Sequence, residues 1–205
     1  DMCLAKQLIE AAKLSGADCV KFQSWTKDSI FAKIKYEENF FLNDDYRDRE
    51  DYTLREIVDK FSVTQQELVS LKAISDGLQI DFACTPFCAS EAEFIVEQLN
   101  VPFIKIASMD LNNHIFLKYI AKKKVPIILS TGMGTEKEIY RAVKVIKENG
   151  QNKICILHCV SLYPCEDKNV RLQRINSLKK IHNSIGISDH TPDSLSSILS
   201  ITFGI

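Results

Sequence analysis

The sequence holds no apolar run near the roughly 18 residues that a membrane-spanning helix needs, so a helical span is excluded. It has no excess of either charge. Lys and Arg number 26 against 27 Asp and Glu, a net charge of -1. That balance argues against a general nucleic-acid binder, which needs a clear basic face for counterion release. Glycine (7) and proline (5) are scarce, so long flexible linkers are not expected. No CxxC pair occurs, and the 7 cysteines are odd in number. A disulfide framework is therefore disfavoured, and free thiols in a reducing cytoplasm are expected. A zinc site would need closer Cys/His clustering.

What is present is an ordinary globular mix, 45% hydrophobic and 26% charged, which excludes a disordered chain. At about 150 residues per domain, 205 residues make one domain or a large part of one. The chain begins directly in a helical pattern at Asp1 and stops at Ile205 in the apolar run ITFGI. Termini are usually polar and solvent-facing, so a piece of a longer protein is expected.

Two kinds of segment alternate. Short β-rich runs cover Cys19 to Ser24, Asp81 to Pro86, Phe103 to Ser108, Pro126 to Gly132, Ile154 to Ser161 and Ile185 to Thr191. Each is apolar at its start and polar at its end. Amphipathic helical patterns lie between them. Met2 to Leu14 places Leu4, Leu8, Ile9 and Ala12 together, and Glu136 to Lys147 places Ile139, Ala142, Val143 and Ile146 together. Thr64 with Glu67, Ser90 with Glu93 and Thr135 with Glu138 fit the capping box. Thr191 before Pro192 fits an N-cap with proline in the first turn.

Apolar strands separated by helices imply a parallel sheet. An open doubly wound sheet does not need polar side chains at the C-terminal end of every strand. A (β/α)8 TIM barrel, with one site at that rim, does. Such a barrel takes about 250 residues, so about six of eight strands are expected here, with the first and last outside the chain. The connection from Thr26 to Val63 is long for a compact domain. It is rich in acids and aromatics, and a helix from Thr53 to Phe61 is predicted within it. A surface insertion and a substrate-covering lid remain equal readings.

The strand ends supply Lys21, Gln23, Thr85, Lys105, Ser108, Ser130, Thr131, His158, Ser161, Ser188, Asp189 and His190. Two lysines and several hydroxyls at one rim suit a phosphate, through charge, directed hydrogen bonds and helix N-termini. Strand alternation sets Lys21 opposite Phe22, and Lys105 opposite Ile106. A lysine inside a barrel needs an anionic partner: a bound phosphate, or a rim carboxylate in a purely structural ion pair. His190 is a candidate ligand for a first-row divalent ion, or a hydrogen-bonded structural histidine. Asp189 would orient it or bond to backbone. His158 reads as a satisfied core histidine, and His114 and His182 as ordinary. Cys88 and Cys165 fall in loops, where thiols can be reactive. Gly132 in STGM would let backbone approach a ligand closely.

The runs GADCVKFQ (Gly16 to Gln23), CTPF (Cys84 to Phe87), FIKIASMDLNN (Phe103 to Asn113), PIILSTGM (Pro126 to Met133), LHCVSLYP (Leu157 to Pro164) and GISDHT (Gly186 to Thr191) occur in this order. Together they closely resemble the sialic acid synthase family, which makes N-acetylneuraminic, legionaminic and pseudaminic acids and has relatives in spore-coat polysaccharide synthesis. The resemblance implies a TIM barrel in which phosphoenolpyruvate adds through C3 to the aldehyde of an open-chain N-acyl hexosamine such as N-acetylmannosamine. Water attacks C2 and phosphate leaves. A divalent ion, Mn2+ or Mg2+, polarises the aldehyde.

By motif, the resemblance makes Lys21, Thr85, Lys105, Ser108, Ser130 and Ser188 the phosphoenolpyruvate contacts, with Lys21 and Lys105 catalytic. It makes Ser161 and Tyr163 the sugar-binding turn and His190 one metal ligand; Gln23 is a further substrate contact. It implies a cytoplasmic homodimer using small-molecule substrates, with no nucleic-acid or membrane partner. It also places an acidic first strand, a last strand with a Glu and a second His, and an antifreeze-like C-terminal domain outside residues 1–205. On that reading this piece alone is inactive. Two other readings stand beside it. One is a Schiff-base lysine aldolase, with Lys21 or Lys105 as nucleophile. The other is a non-catalytic remnant or binding module with exposed sheet edges.

Overall fold

A computed structural model describes residues 1–30, 53–150 and 153–205, with the Leu54 side chain left aside. The central part of the long connection read as a surface insertion or a lid, 31–52, lies outside the described residues. The chain forms two compact units, Asp1–Pro102 and Phe103–Ile205.

In the first unit α1 (Met2–Leu14) leads into β1 (Cys19–Gln23) and a four-residue helical turn, α2 (Lys27–Ile30). Then come α3 (Leu54–Phe61), α4 (Gln65–Gly77), β2 (Asp81–Thr85) and α5 (Ala89–Glu93), which runs on as a π-helical turn over Phe94–Gln98. β1 and β2 pair in parallel, with Lys21 opposite Ala83 and Gln23 opposite Thr85. In α1, Ile9 is buried, while Leu4 and Leu8 stay more than half exposed. At about 100° per residue, Ile9 lies a quarter-turn from Leu8, so the leucine stripe flanks the packed side rather than forming it. Thr53 and Thr64 each cap a helix with the reciprocal box, through Glu56 and Glu67; each cap contributes about 1 kcal/mol. The box expected at Ser90 and Glu93 does not form. Cys88 occupies the N-cap and gives no side-chain cap, and Ser90 Oγ pairs with Cys88 Sγ instead.

The second unit runs β3 (Ile104–Ile106), α6 (His114–Lys122), β4 (Ile127–Ser130), α7 (Glu136–Gly150), β5 (Ile154–Cys159), α8 (Asp167–Val170), α9 (Arg174–Lys179), β6 (Ile185–Ser188) and α10 (Leu195–Ser200). All strand pairs here are parallel: β3 with β4, β4 with β5 and β5 with β6. Six β/α steps across the two units are those of an incomplete (β/α)8 barrel. Side chains at Ile104, Ile106, Ile127, Leu129, Ile154 and Ile156 are buried, as are Phe116, Leu117, Ile120, Ile139, Ala142, Val143 and Ile146 on the helices. Each full-length aliphatic side chain so buried is worth about 1.5–3 kcal/mol. The Thr135–Glu138 box forms at the start of α7. The N-cap expected at Thr191 does not: α10 begins at Leu195, behind Ser194. Thr191 is instead held in a turn, its N–H and Oγ1 both donating to Asp189 Oδ1.

His158 is almost fully buried, and its Nε2–H donates to the Val170 carbonyl at 2.7 Å, while Nδ1 has no partner among the described residues. It is thus a core histidine, as expected, but only half satisfied. Burial is the main cause that holds its pKa below 6.5. The unfolded chain therefore takes up a proton near pH 6.5 that the folded chain refuses. Its contribution to stability is full above pH 6.5 and falls as pH drops toward the depressed folded value. The His158→Phe variant should lose about 1–3 kcal/mol at pH 7.5, as the Val170 carbonyl loses this donor. It should also show a shallower fall in stability from pH 6.5 to 5; His182, likewise depressed by burial, retains its own share. Urea denaturation at a series of pH values measures both, and an unchanged slope would contradict the assignment.

Candidate functional site

Alternation along the strands of the second unit decides which side chains meet. With Ile104 and Ile106 on the packed side, Lys105 faces the other way. With Ile127 and Leu129 packed, Ile128 and Ser130 share the face of Lys105, and Ile128 pairs with Lys105 in register. On β5, Ile154, Ile156 and His158 take the packed side, which sends Cys155, Leu157 and Cys159 to the same face as Ser130. Gly186 continues this face on β6: a Cβ there would press on Leu157 and Cys155. Ser188, two residues on, pairs with Cys159 in register.

At the C-terminal ends of these strands the polar groups draw together. Ser108, in the turn after β3, accepts a hydrogen bond from the Gly132 N–H at 3.0 Å and lies 3.3 Å from Cys159 Sγ. Gly132 is hemmed in. A Cβ added there would lie 2.6 Å from Ser161 Oγ, 3.0 Å from Cys159 Sγ and 3.1 Å from Ser108 Oγ. Close approach, rather than an unusual φ, is what requires glycine at this point. Ser130 Oγ is buried and has no hydrogen-bond partner among the described residues. An unsatisfied buried hydroxyl costs about 1–3 kcal/mol, which a bound acceptor would recover. Lys105 is half-buried, and burial holds its ammonium below the usual lysine range, opposed by the nearby Cys159 sulfur. A group whose charge is penalised by dehydration gains when an anion arrives.

His190 is set beside this cluster by its backbone partner. Its Nδ1–H donates to the Val160 carbonyl at 2.7 Å. In the neutral ring this leaves a lone pair on Nε2, which lies 3.3 Å from Ser188 Oγ. That tautomer is the one a metal ligand needs. Tyr163 packs against the imidazole at a tilt of 38°, ring centroids 4.2 Å apart, in the turn where the Tyr163–Pro164 peptide is cis. Asp189 does not orient His190. Burial pushes its carboxyl up, but hydrogen bonds from Ser197 and Thr191 prevail and hold its pKa below the ordinary value. Among the described residues no group of three His, Cys, Asp or Glu side chains converges as a metal cage. His190 fits one ligand position and no more. Cys165, read as a loop thiol, is buried.

In the first unit, Lys21 and Gln23 are exposed on β1, and Gln23 Oε1 accepts from Trp25 Nε1–H. Thr85 Oγ1, at the end of β2, is buried and, among the described residues, unpartnered like Ser130 Oγ. Beside it Ser24 Oγ donates to the buried Glu91, and the Phe87 N–H donates to the same carboxylate oxygen. Glu91 thus ties the polar ends of β1 and β2 to α5. Sequence reasoning passed over Glu91 and read Cys159 only as a buried free thiol, which it is. An acid on a helix and a cysteine in an apolar run carry no local mark of what lies beside them.

The likeness to known proteins covers the whole chain. A model of the NeuB family matches residues 8–205. An uncharacterized protein of Methanocaldococcus jannaschii is 37% identical over all of this chain and 56% of its own length. The N,N'-diacetyllegionaminic acid synthase of Legionella pneumophila is 32% identical over all of this chain and 58% of its own. The chain spans a little over half the length of these relatives. Among solved structures, the N-acetylneuraminic acid (sialic acid) synthetase of Leptospira borgpetersenii, in complex with citrate, superposes with a TM-score of 0.85 at 28% identity. That match covers all of this chain and 65% of the other.

The Gly132→Ala variant should displace Ser161, Cys159 or Ser108. The expected cost is about 1–3 kcal/mol of stability together with weaker binding of inorganic phosphate by the full-length protein. Calorimetric titration with phosphate, alongside thermal melting, reads the two effects. Unchanged phosphate binding would show that this corner holds no anion.

Proposed function

The chain belongs to the NeuB family, and we propose that the full-length protein is a nonulosonic acid synthase. It joins phosphoenolpyruvate to an open-chain N-acyl hexosamine such as N-acetylmannosamine. The observation that carries this reading is the face shared by Lys105, the unsatisfied Ser130 hydroxyl and the Ser108–Gly132 corner, next to His190. These groups suit a small phosphorylated carboxylate. Lys105 supplies charge, and Ser130, Ser108 and Ser188 supply hydroxyl donors. On the strength of the motifs, Lys21, Thr85 and Gln23 are further contacts. Ser161 and Tyr163 lie toward the sugar.

C3 of phosphoenolpyruvate forms a bond to the aldehyde carbon, whose oxygen becomes a hydroxyl. Water adds at C2, and the C2–O bond to phosphate breaks, releasing inorganic phosphate. Lys105 holds phosphate charge as it accumulates on the leaving group, in a half-buried setting where that interaction is stronger than in water. Val160 fixes the His190 tautomer, so that Nε2 presents a lone pair beside the aldehyde. A divalent cation held there, with ligands beyond those described, would polarise the aldehyde.

The test is phosphate release by the full-length protein given phosphoenolpyruvate, several N-acyl hexosamines and Mn2+. Turnover is expected with at least one sugar, and Lys105→Ala should lower kcat/KM about a hundredfold or more. No turnover with any sugar overturns the reading. The lowered pKa of Lys105 also favours a second reading, a Schiff-base aldolase, because a nucleophilic lysine needs that shift. Borohydride trapping with pyruvate separates the two: a labelled Lys105 supports the aldolase, and an unlabelled one supports the phosphate contact.

A further inference from the structure

Cys159 stands where the polar corner is tightest, yet no step above uses it. It is 3% exposed at the end of β5, on the same face as Lys105. Its Sγ is 3.3 Å from Ser108 Oγ, and it would sit 3.0 Å from a Cβ on Gly132. Ser108 Oγ already accepts from the Gly132 N–H. The hydroxyl therefore has one proton and one lone pair left to place. We propose that Cys159 is a positioning residue that completes the hydrogen bonding of Ser108 while leaving its proton free for the substrate anion. The proposal rests on the reading of this corner as a phosphoenolpyruvate contact.

A neutral donor at this place serves Ser108 only if it yields the Ser108 proton to a charged oxygen. Sulfur is a poor acceptor, so it cannot hold the Ser108 proton against a charged oxygen. When the anion binds, that proton turns to it, and the S–H of Cys159 takes up the remaining Ser108 lone pair. A carboxylate or amide oxygen at this place would keep the proton. An aliphatic side chain would leave the hydroxyl without a second partner. A cysteine fills the space of the latter without the competition of the former.

The test is made in the full-length protein, with phosphoenolpyruvate as the varied substrate. Cys159→Ala and Cys159→Val should each raise KM for phosphoenolpyruvate about three- to tenfold, with kcat changed less. Cys159→Ser should restore KM to within about threefold of the parent, since it keeps a donor. In the Ser108→Ala background, Cys159→Ala should add nothing further, because the residue acts through that hydroxyl. Thermal melting of each variant keeps loss of fold apart from loss of binding. Three results overturn the positioning role while leaving the synthase reading intact: Val restores KM as well as Ser, Ser fails to restore it, or the Ser108 and Cys159 losses add. A parent protein with no phosphoenolpyruvate turnover overturns both.

Discussion

The alternation of side chains along β3, β4 and β5 is the constraint on which the rest depends. One face of each strand is committed to the helices by Ile104 and Ile106, Ile127 and Leu129, and Ile154 and Ile156, all buried. Sliding any strand by one residue would bring those side chains to the other face and put Lys105 or Ser130 among the helices. An unpaired ammonium there costs several kcal/mol. The hydrophobic packing therefore gathers the polar residues as well as stabilising the fold. Lys105, Ser130 and Cys159 share a face because their neighbours cannot.

The ends of the strands then add precision that the strands alone do not supply. Ser108 and Gly132 lie in turns, beyond the regular hydrogen-bonded ladder, and their mutual bond fixes one turn against the other. Arg174 reinforces this from behind by donating to the Gly134 carbonyl. A Cβ on Gly134 would run into Leu111, so the two glycines of STGMG serve different ends. Gly132 makes room for polar side chains, and Gly134 lets backbone settle on an apolar one. The corner is held by packing and by hydrogen bonds at once, the preorganisation that the proposed anion contact would need. Among the described residues Ser130 and Thr85 each keep a buried hydroxyl without a hydrogen-bond partner, at a cost of about 1–3 kcal/mol each.

The elements that were legible in the sequence were those with strong local signals. The strand runs lie where the apolar stretches put them, each trimmed by one to three residues as its polar end turns out of the sheet. Thr64 and Thr135 cap their helices because the reciprocal Glu is three residues away, and Glu138 does so with one oxygen while the other accepts from Asn112 Nδ2. Ser90 has the same spacing and fails, because the chain enters its helix two residues earlier at Cys88. Thr191 fails because Asp189 claims its N–H and hydroxyl.

By itself the sequence determined the order of β and α elements, the parallel sense of the strands and the membership in a family of barrel synthases. These follow from periodicity and from ordered motifs, both of which are local or collinear properties. The tertiary structure decided which atoms meet. That His190 takes its orientation from the Val160 carbonyl rather than Asp189, that Ser108 bonds to Gly132, and that Cys159 stands beside both are contacts across 24 to 51 residues of chain. No local pattern encodes such distances. They arise when the apolar faces of separate strands are buried together, and the polar ends are carried to wherever that packing leaves them.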